Sequence, residues 1–261
     1  MQLKNARILL TGASGGLGQE LARQLTDCGA ALLLAGRDSG RLNALATSLG
    51  PGVASICADL ERASGVAALA GAAREFGVNV LINNAGVSAF GLLENQEWVA
   101  IERVLATNLE APIHLTHALL PWLKAQPQAA IVNIGSTFGS LPFPGFVAYS
   151  AAKAGLRGFS QALRRELADS LVAVIHIAPR AIDTPLNTDA IKALNRALKS
   201  QSDSPVDVAR QVVAALRRGD GEHHFGFPER LFAWLNGVAP SLIDRALAGK
   251  LAIIKQHSPS S

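Results

Sequence analysis

Three side chains near the middle of the chain have the types and spacing for proton transfer beside a carbonyl group. Tyr149 and Lys153 are four residues apart, so on a helix they share one face. Ser136 precedes Tyr149 by 13 residues and follows an apolar run that reads as a strand, in the stretch NIGSTFGSLPFPGFVAYSAAK. A phenol with a pKa of about 10 exchanges protons poorly at neutral pH unless a nearby ammonium group lowers that value. Lysine supplies the ammonium, and a serine hydroxyl can hold a substrate oxygen beside the phenol. Tyr149 is the only tyrosine in the chain. Taken alone, the pair reads equally well as a tyrosine at a helix start with a lysine facing solvent.

A second group of residues suits an anion. The stretch ILLTGASGGLGQE, residues 8–20, runs from a strand through Gly12, Ser14, Gly16, Leu17 and Gly18 into a helix. Glycines let the backbone approach a pyrophosphate, and a helix N-terminus offers it free N–H groups. The spacing is neither the plain GxGxxG nor a Walker A loop, which would need a following Lys-Ser/Thr pair. Asp59 and Leu60, after a third strand, place a carboxylate near an adenine amine. The alternative is that Asp59 caps a helix starting near residue 62.

These groups need a scaffold, and the order of elements supplies one. Apolar runs at 7–10, 31–34, 53–57, 80–82, 130–134 and 172–177 read as strands. Helical patterns at 17–27, 39–48, 62–76, 97–123 and 151–169 separate them. Several strands are continuously apolar, as strands buried on both faces should be, and the alternation implies an α/β fold with one parallel sheet covered on both sides. Residues 180–261 differ. They read as a substrate lid and helical extension of the same single domain, with an amphipathic helix at 206–217. Apolar positions at helical spacing follow over 228–256, broken near 237–240, and the tail QHSPSS reads as frayed. The stripe Leu231, Phe232, Leu235, Leu242, Ile243, Leu247, Leu251 and Ile254 is read first as core or subunit packing. Contact with a membrane surface is the lesser alternative, supported by Lys250 and Lys255.

Composition narrows the classes. The chain has 261 residues, 49% of them hydrophobic and 17% charged, enough for one full α/β core. The net charge of +4 is dispersed, aromatics are 5%, and no zinc-finger or helix-turn-helix spacing occurs, which argues against a nucleic-acid partner. Cys28 and Cys57 form no CxxC pair and read as free thiols of a reduced cytoplasm. No signal peptide is visible, and no apolar run reaches membrane-spanning length. His223 and His224 lack acidic or cysteine partners at ligand spacing, so no metal is expected.

Taken together, TGASGGLG from Thr11, Asp59-Leu60, NNAG from Asn83, Asn108, Ser136, Tyr149-SAA-Lys153 and Pro179 with Thr184 resemble the short-chain dehydrogenase/reductase family over nearly the full length. The resemblance implies a Rossmann-like, doubly wound parallel sheet with helices on both faces. It assigns catalysis to Asn108, Ser136, Tyr149 and Lys153: Tyr149 as general acid or base, Ser136 orienting the substrate oxygen, Lys153 lowering the phenol pKa and holding ribose hydroxyls, and Asn108 positioning a relay water. It assigns dinucleotide contacts to Gly12, Ser14, Gly16, Leu17, Gly18, Arg37, Asp59, Leu60, Asn83, Ala85, Gly86, Tyr149, Lys153, Pro179, Ile182 and Thr184. Two departures stand out: Arg180 where the family usually has glycine, and Gly135 where a serine is frequent. Arg180 implies a compatible backbone or a shifted loop, with its side chain on the surface or facing an acidic substrate.

The stretch ALLLAGRD, residues 31–38, bears on cofactor choice. An acid at the end of the second strand favours NAD and a base favours NADP. The acid's position is held by Gly36, Arg37 follows it, and Asp38 reads as the cap of the next helix. The expectation is NADP, with NAD the alternative. Ser88, Phe90, Phe138, Leu141, Phe143, Phe146 and Leu186 would line a largely apolar substrate site. The resulting reading is an NADP(H)-dependent oxidoreductase interconverting a carbonyl and an alcohol, of EC class 1.1.1, forming a homodimer or homotetramer through 97–123 and 151–169. Its rivals are an NAD-dependent alcohol or hydroxy-acid dehydrogenase and a non-catalytic dinucleotide-binding regulator.

Overall fold

The computed structural model describes residues 1–219 and 221–259; the last residues of the tail expected to fray lie outside this range. Seven parallel strands, in the order β3-β2-β1-β4-β5-β6-β7, form one sheet. They are β1 (Arg7–Thr11), β2 (Ala31–Gly36), β3 (Val53–Cys57), β4 (Val80–Asn83), β5 (Ala129–Ile134), β6 (Val172–Ala178) and β7 (Glu222–His224). The helices between them are α1 (Gly16–Asp27), α2 (Ser39–Leu49), α3 (Ala63–Phe76), α4 (Trp98–Leu105), α5 (Ala111–Lys124) and α6 (Val147–Glu166). Beyond β6 come α7 (Asp189–Ala197) and α8 (Pro205–Arg218), and beyond β7 come α9 (Glu229–Val238), α10 (Pro240–Ala248) and α11 (Leu251–His257).

The continuous apolar strands have a direct cause. Successive side chains go to opposite faces, and both faces are covered. Ile8, Leu10, Leu32, Leu34, Val80 and Ile82 enter a core against α1, α2 and α8. Leu9, Leu33 and Leu81 enter another against α3, α5 and α6. The strand order reverses between β1 and β4, and the crevice outside their carboxyl ends is where such sheets bind ligands.

Two expectations need correction, and one strand lies outside them. Residues 97–123 do not form one regular helix, because a π turn at Ala106–Glu110 divides α4 from α5. The helix expected over 151–169 starts at Val147 and ends at Glu166, so Tyr149 lies inside its first turn. The seventh strand, EHH, carries no apolar pattern. It is held by main-chain pairing to β6, His176 with Glu222 and Ala178 with His224, and by Glu222 binding Arg157 and Gln161 of α6.

Candidate active site

The floor of the site is built where β1 and β4 end. Thr11 Oγ1 accepts the N–H groups of Asn84 and Ala85, both at 3.0 Å, which joins the two strand ends. Gly12 follows with φ +64°, and a Cβ there would lie 2.7 Å from Ala85 Cα, so only glycine fits this crossing. α1 then starts with Gly15 at its N-cap and no side-chain cap. By contrast, Asp38, Thr188 and Ser204 cap α2, α7 and α8. The first-turn N–H groups of α1 are thus left for an anion, which fits a pyrophosphate.

These elements open into a cavity of about 850 Å³. Gly12, Ser14, Gly16, Leu17, Gly18, Arg37, Asp59, Leu60, Ala85, Gly86, Pro179, Ile182 and Thr184 all line it, as do Ser136, Tyr149 and Lys153. Thr184 reaches across to the glycine turn, where a Cβ on Gly16 would come within 2.8 Å of its methyl group. Asp59 does not cap α3. It accepts the N–H of Glu61 at 3.0 Å and pairs with Arg62 at 3.3 Å, and Arg62 occupies the N-cap without a side-chain capping bond.

Asn83 and Asn108 do not line the cavity, which corrects the assignment of Asn83 to it. Asn83 is buried, and its amide donates to Asn133 Oδ1 at 2.8 Å; Asn133 in turn donates to Ser160 Oγ at 2.9 Å. The side chain of Asn83 thus ties β4 to β5, and the asparagine that faces the cavity is Asn84. Asn108 sits in the π turn, fully buried, with both polar side-chain atoms on the backbone of Val87. Any water it positions must be held by its main chain.

Lys153 Nζ donates to Ile134 O at 2.8 Å and lies 5.7 Å from the centre of the Tyr149 ring. Burial lowers the lysine pKa to about 8. Burial also raises the Tyr149 phenol, against an opposing hydrogen bond with Ser136. The lowered phenol pKa expected of a lysine neighbour is therefore not found: loss of hydration outweighs the Ser136 hydrogen bond. Ser136 Oγ accepts the N–H of Phe138 at 3.1 Å, which fixes the serine at the start of a short 3₁₀ turn.

At the end of β2, Gly36 has no side chain, and Arg37 pairs with Glu61 at 2.9 Å. Glu61 also binds Arg103 at 2.9 Å. Arg41 was not singled out from sequence, yet it lines the cavity and its Nη2 donates to Ser14 O at 2.7 Å. Asp38 accepts Arg41 N at 2.9 Å as the cap of α2, and this places Arg41 in the helix's first turn beside the glycine loop.

Both family departures have structural counterparts. A Cβ on Gly135 would lie 2.4 Å from His176 Cε1, so the buried imidazole occupies the space a serine would need. Arg180 is neither on the surface nor directed only at the cavity. It is largely buried and binds Gln201 at 2.8 Å and Asp203 at 2.6 Å, with Glu229 at 3.6 Å. It thereby ties the end of β6 to the segment before α8 and to α9. Beyond Tyr149 the wall is aromatic: Phe138 stacks on Phe143 at 5.2 Å and meets Tyr149 edge-on at 6.4 Å. Ser88, Leu141, Phe146 and Leu186 line the cavity as expected. Phe90 stands behind them, stacked on Phe146 at 5.0 Å. His224 binds Glu222 at 2.8 Å, and no metal-ligating cluster occurs among the described residues.

Fold, glycine turn and the Ser136–Tyr149–Lys153 grouping define a dinucleotide-binding α/β protein of the oxidoreductase type, and the comparisons agree. The sequence profile of the short chain dehydrogenase family matches residues 6–195, and the chain belongs to that family. It is 35% identical to dehydrogenase/reductase SDR family member 7B of Bos taurus, over 95% of this chain and 82% of the relative. A short chain dehydrogenase/reductase from Burkholderia phymatum in complex with NAD superimposes with a TM-score of 0.84 at 26% identity, covering 93% of this chain and 96% of that one. A short-chain dehydrogenase from Sphingobium yanoikuyae in complex with NADPH gives 0.79 at 30% identity, covering 92% and 95%.

Proposed function

We propose that the chain is an NADP(H)-dependent oxidoreductase that reduces a ketone or aldehyde on a largely apolar substrate, and oxidises the corresponding alcohol in reverse. The observation that carries this reading is the placement of Ser136, Tyr149 and Lys153 on one wall of a cavity whose other end holds the uncapped start of α1. The dinucleotide, when bound, supplies the hydride. Tyr149 donates its hydroxyl proton to the carbonyl oxygen, and Ser136 donates a hydrogen bond to the same oxygen. Both contacts strengthen as that oxygen gains negative charge, which is where binding energy accelerates a reaction. A phenol held above its ordinary pKa is protonated at neutral pH, which supports reduction as the working direction. Lys153 holds ribose hydroxyls and places positive charge beside the phenol as it gives up its proton. Reprotonation runs through Lys153 and a water on the main chain of Asn108.

Open N–H groups of α1, with Ser14, take the pyrophosphate; Asp59 and Leu60 flank the adenine; Ala85 and Gly86 back the cofactor. Pro179, Ile182 and Thr184 hold the carboxamide end. Arg37 and Arg41 take the 2′-phosphate, and Gly36 offers no carboxylate to repel it. One observation favours NAD instead, because Glu61 already engages Arg37. The compartment we infer is the cytoplasm, and the homo-oligomer would use α4 to α6, where Trp98, Val99 and Val147 are exposed.

The test is a panel of apolar ketones and alcohols followed at the NAD(P)H absorbance. Tyr149→Phe should lower turnover by about 10²–10⁴-fold while leaving dinucleotide affinity nearly unchanged. Wild-type turnover in that variant overturns the mechanism. Arg37→Ala with Arg41→Ala should weaken NADPH about tenfold or more and spare NADH. Equal loss for both dinucleotides overturns the NADP assignment.

A further inference from the structure

Exposed large apolar side chains are unevenly spread over the described residues. Seven of the fourteen lie between residues 227 and 251. On α9, Leu231, Trp234 and Val238 follow an i, i+3, i+7 spacing, so they form one stripe, and Phe227 is exposed in the turn just before the helix. Their exposures are 48%, 63%, 61% and 72%. A single exposed leucine needs no explanation, but a row containing tryptophan and phenylalanine does. No residue of α9 is buried.

The exposed charges of α9 to α11 are one-sided. Arg230, Arg245, Lys250 and Lys255 are exposed, and Glu229 is turned onto Arg180, which leaves Asp244 as the exposed carboxylate of α9 to α11. A two-fold contact between copies of the chain through this face would bring those cations towards their own counterparts. An anionic surface pairs with them instead. Among the described residues no helix is long and apolar enough to cross a membrane, so the geometry is that of a helix lying in the interface.

The same helices wall the cavity. Phe232 of α9 and Ile243, Ala246 and Leu247 of α10 line it, with Lys250 at its edge. The cavity therefore ends beside the exposed stripe, and the lining there is apolar. We propose that α9 and α10 lie on an anionic lipid surface, with Phe227, Leu231, Trp234 and Val238 inserted among the acyl chains. The adjoining cavity takes its apolar carbonyl substrate from that lipid. The substrate clause rests on the oxidoreductase reading above; the lipid contact does not.

Flotation of the full chain with vesicles tests the contact, using phosphatidylcholine alone and phosphatidylcholine with phosphatidylserine. The wild type should float with the anionic vesicles, and added salt should reduce the bound fraction. Trp234→Ser and Leu231→Ser should each weaken vesicle affinity about tenfold. Arg230→Glu with Arg245→Glu should erase the preference for phosphatidylserine. Turnover of a short water-soluble ketone should be the same in Trp234→Ser as in the wild type, while turnover of 2-tridecanone carried in the vesicles should fall with the flotation loss. A wild type that stays in solution overturns the proposal, as does a Trp234→Ser variant that floats like the wild type. A change of oligomeric mass in Trp234→Ser with flotation unchanged makes the stripe a subunit contact and overturns it too. If no ketone is turned over with either dinucleotide, the oxidoreductase reading fails, and flotation still decides the lipid contact.

Discussion

The two ends of the cavity are held in place by different means. The dinucleotide end rests on strands buried on both faces and on helices such as α1, with five buried residues from Leu17 to Leu25. The substrate end rests on α9, with none, and on α10 and α11, with one each, Ile243 and Ile254. What fixes α9 to the rest is mostly polar: Arg180 with Asp203 and Glu229, and Asn236, whose amide donates to Ser140 O at 3.0 Å. The contrast separates two tasks. Orientation of reacting atoms within fractions of an ångström calls for a packed scaffold, whereas admission of substrate calls for an element that opens without unfolding the sheet.

The largest test of this contrast is a pair of truncations. Leu10→Ala, in the two-faced core, should cost about 2–5 kcal/mol of global stability, whereas Leu242→Ala on α10 should stay within about 0.5 kcal/mol. Equal losses in urea denaturation would mean the two ends share one core after all. Next in size is the tie at Arg180. Arg180→Gly leaves Asp203 and Glu229 facing each other and should loosen the substrate end by on the order of 2 kcal/mol. Amide exchange should speed up over residues 182–203 and 229–238, and the KM for ketone should rise more than that for NADPH. Protection unchanged in both segments would remove Arg180 from this role.

The effect that is smallest at neutral pH belongs to the packed end. Burial pushes His176 down to about 3, below its ordinary value of 6.5. Between those two values the unfolded chain binds a proton that the folded chain does not, so stability falls as pH falls from about 6.5 towards 3, by up to about 1.4 kcal/mol per unit. His176→Asn should flatten the slope relative to the wild type in denaturant titrations at successive pH values. An identical slope would place the acid sensitivity elsewhere.

The same contrast sets what the sequence disclosed. Strands β1, β2, β4, β5 and β6 were legible because burial on both faces writes itself as largely apolar runs; Val53–Cys57, an edge strand with no buried residue, was read from its alternation with the helices on either side. The reacting trio was legible because its chemistry needs those side chains at those intervals. β7 was not, since an edge strand of Glu222, His223 and His224 takes its place from main-chain pairing to β6 and from Glu222 binding Arg157 and Gln161 of α6, none of which marks the sequence. Neither the π turn around Asn108 nor the inward side chain of Asn83 leaves a mark on periodicity. Arg41 and Arg180 were missed or misplaced for a related reason: their partners, Ser14 and Asp203, are distant in sequence, and a charged side chain does not announce which way it folds.

The imidazole against Gly135 has a consequence for how this chain can change. With 2.4 Å between a would-be Cβ and His176 Cε1, substitutions at the two positions must come in a fixed order. Shrinking residue 176 first opens a route to Gly135→Ser, whereas Gly135→Ser first meets a filled space and a strained strand end next to Ser136. One of the two mutational paths is closed, so the pair should act as a ratchet, and a lineage that acquired the histidine would keep the glycine for as long as it kept the ring.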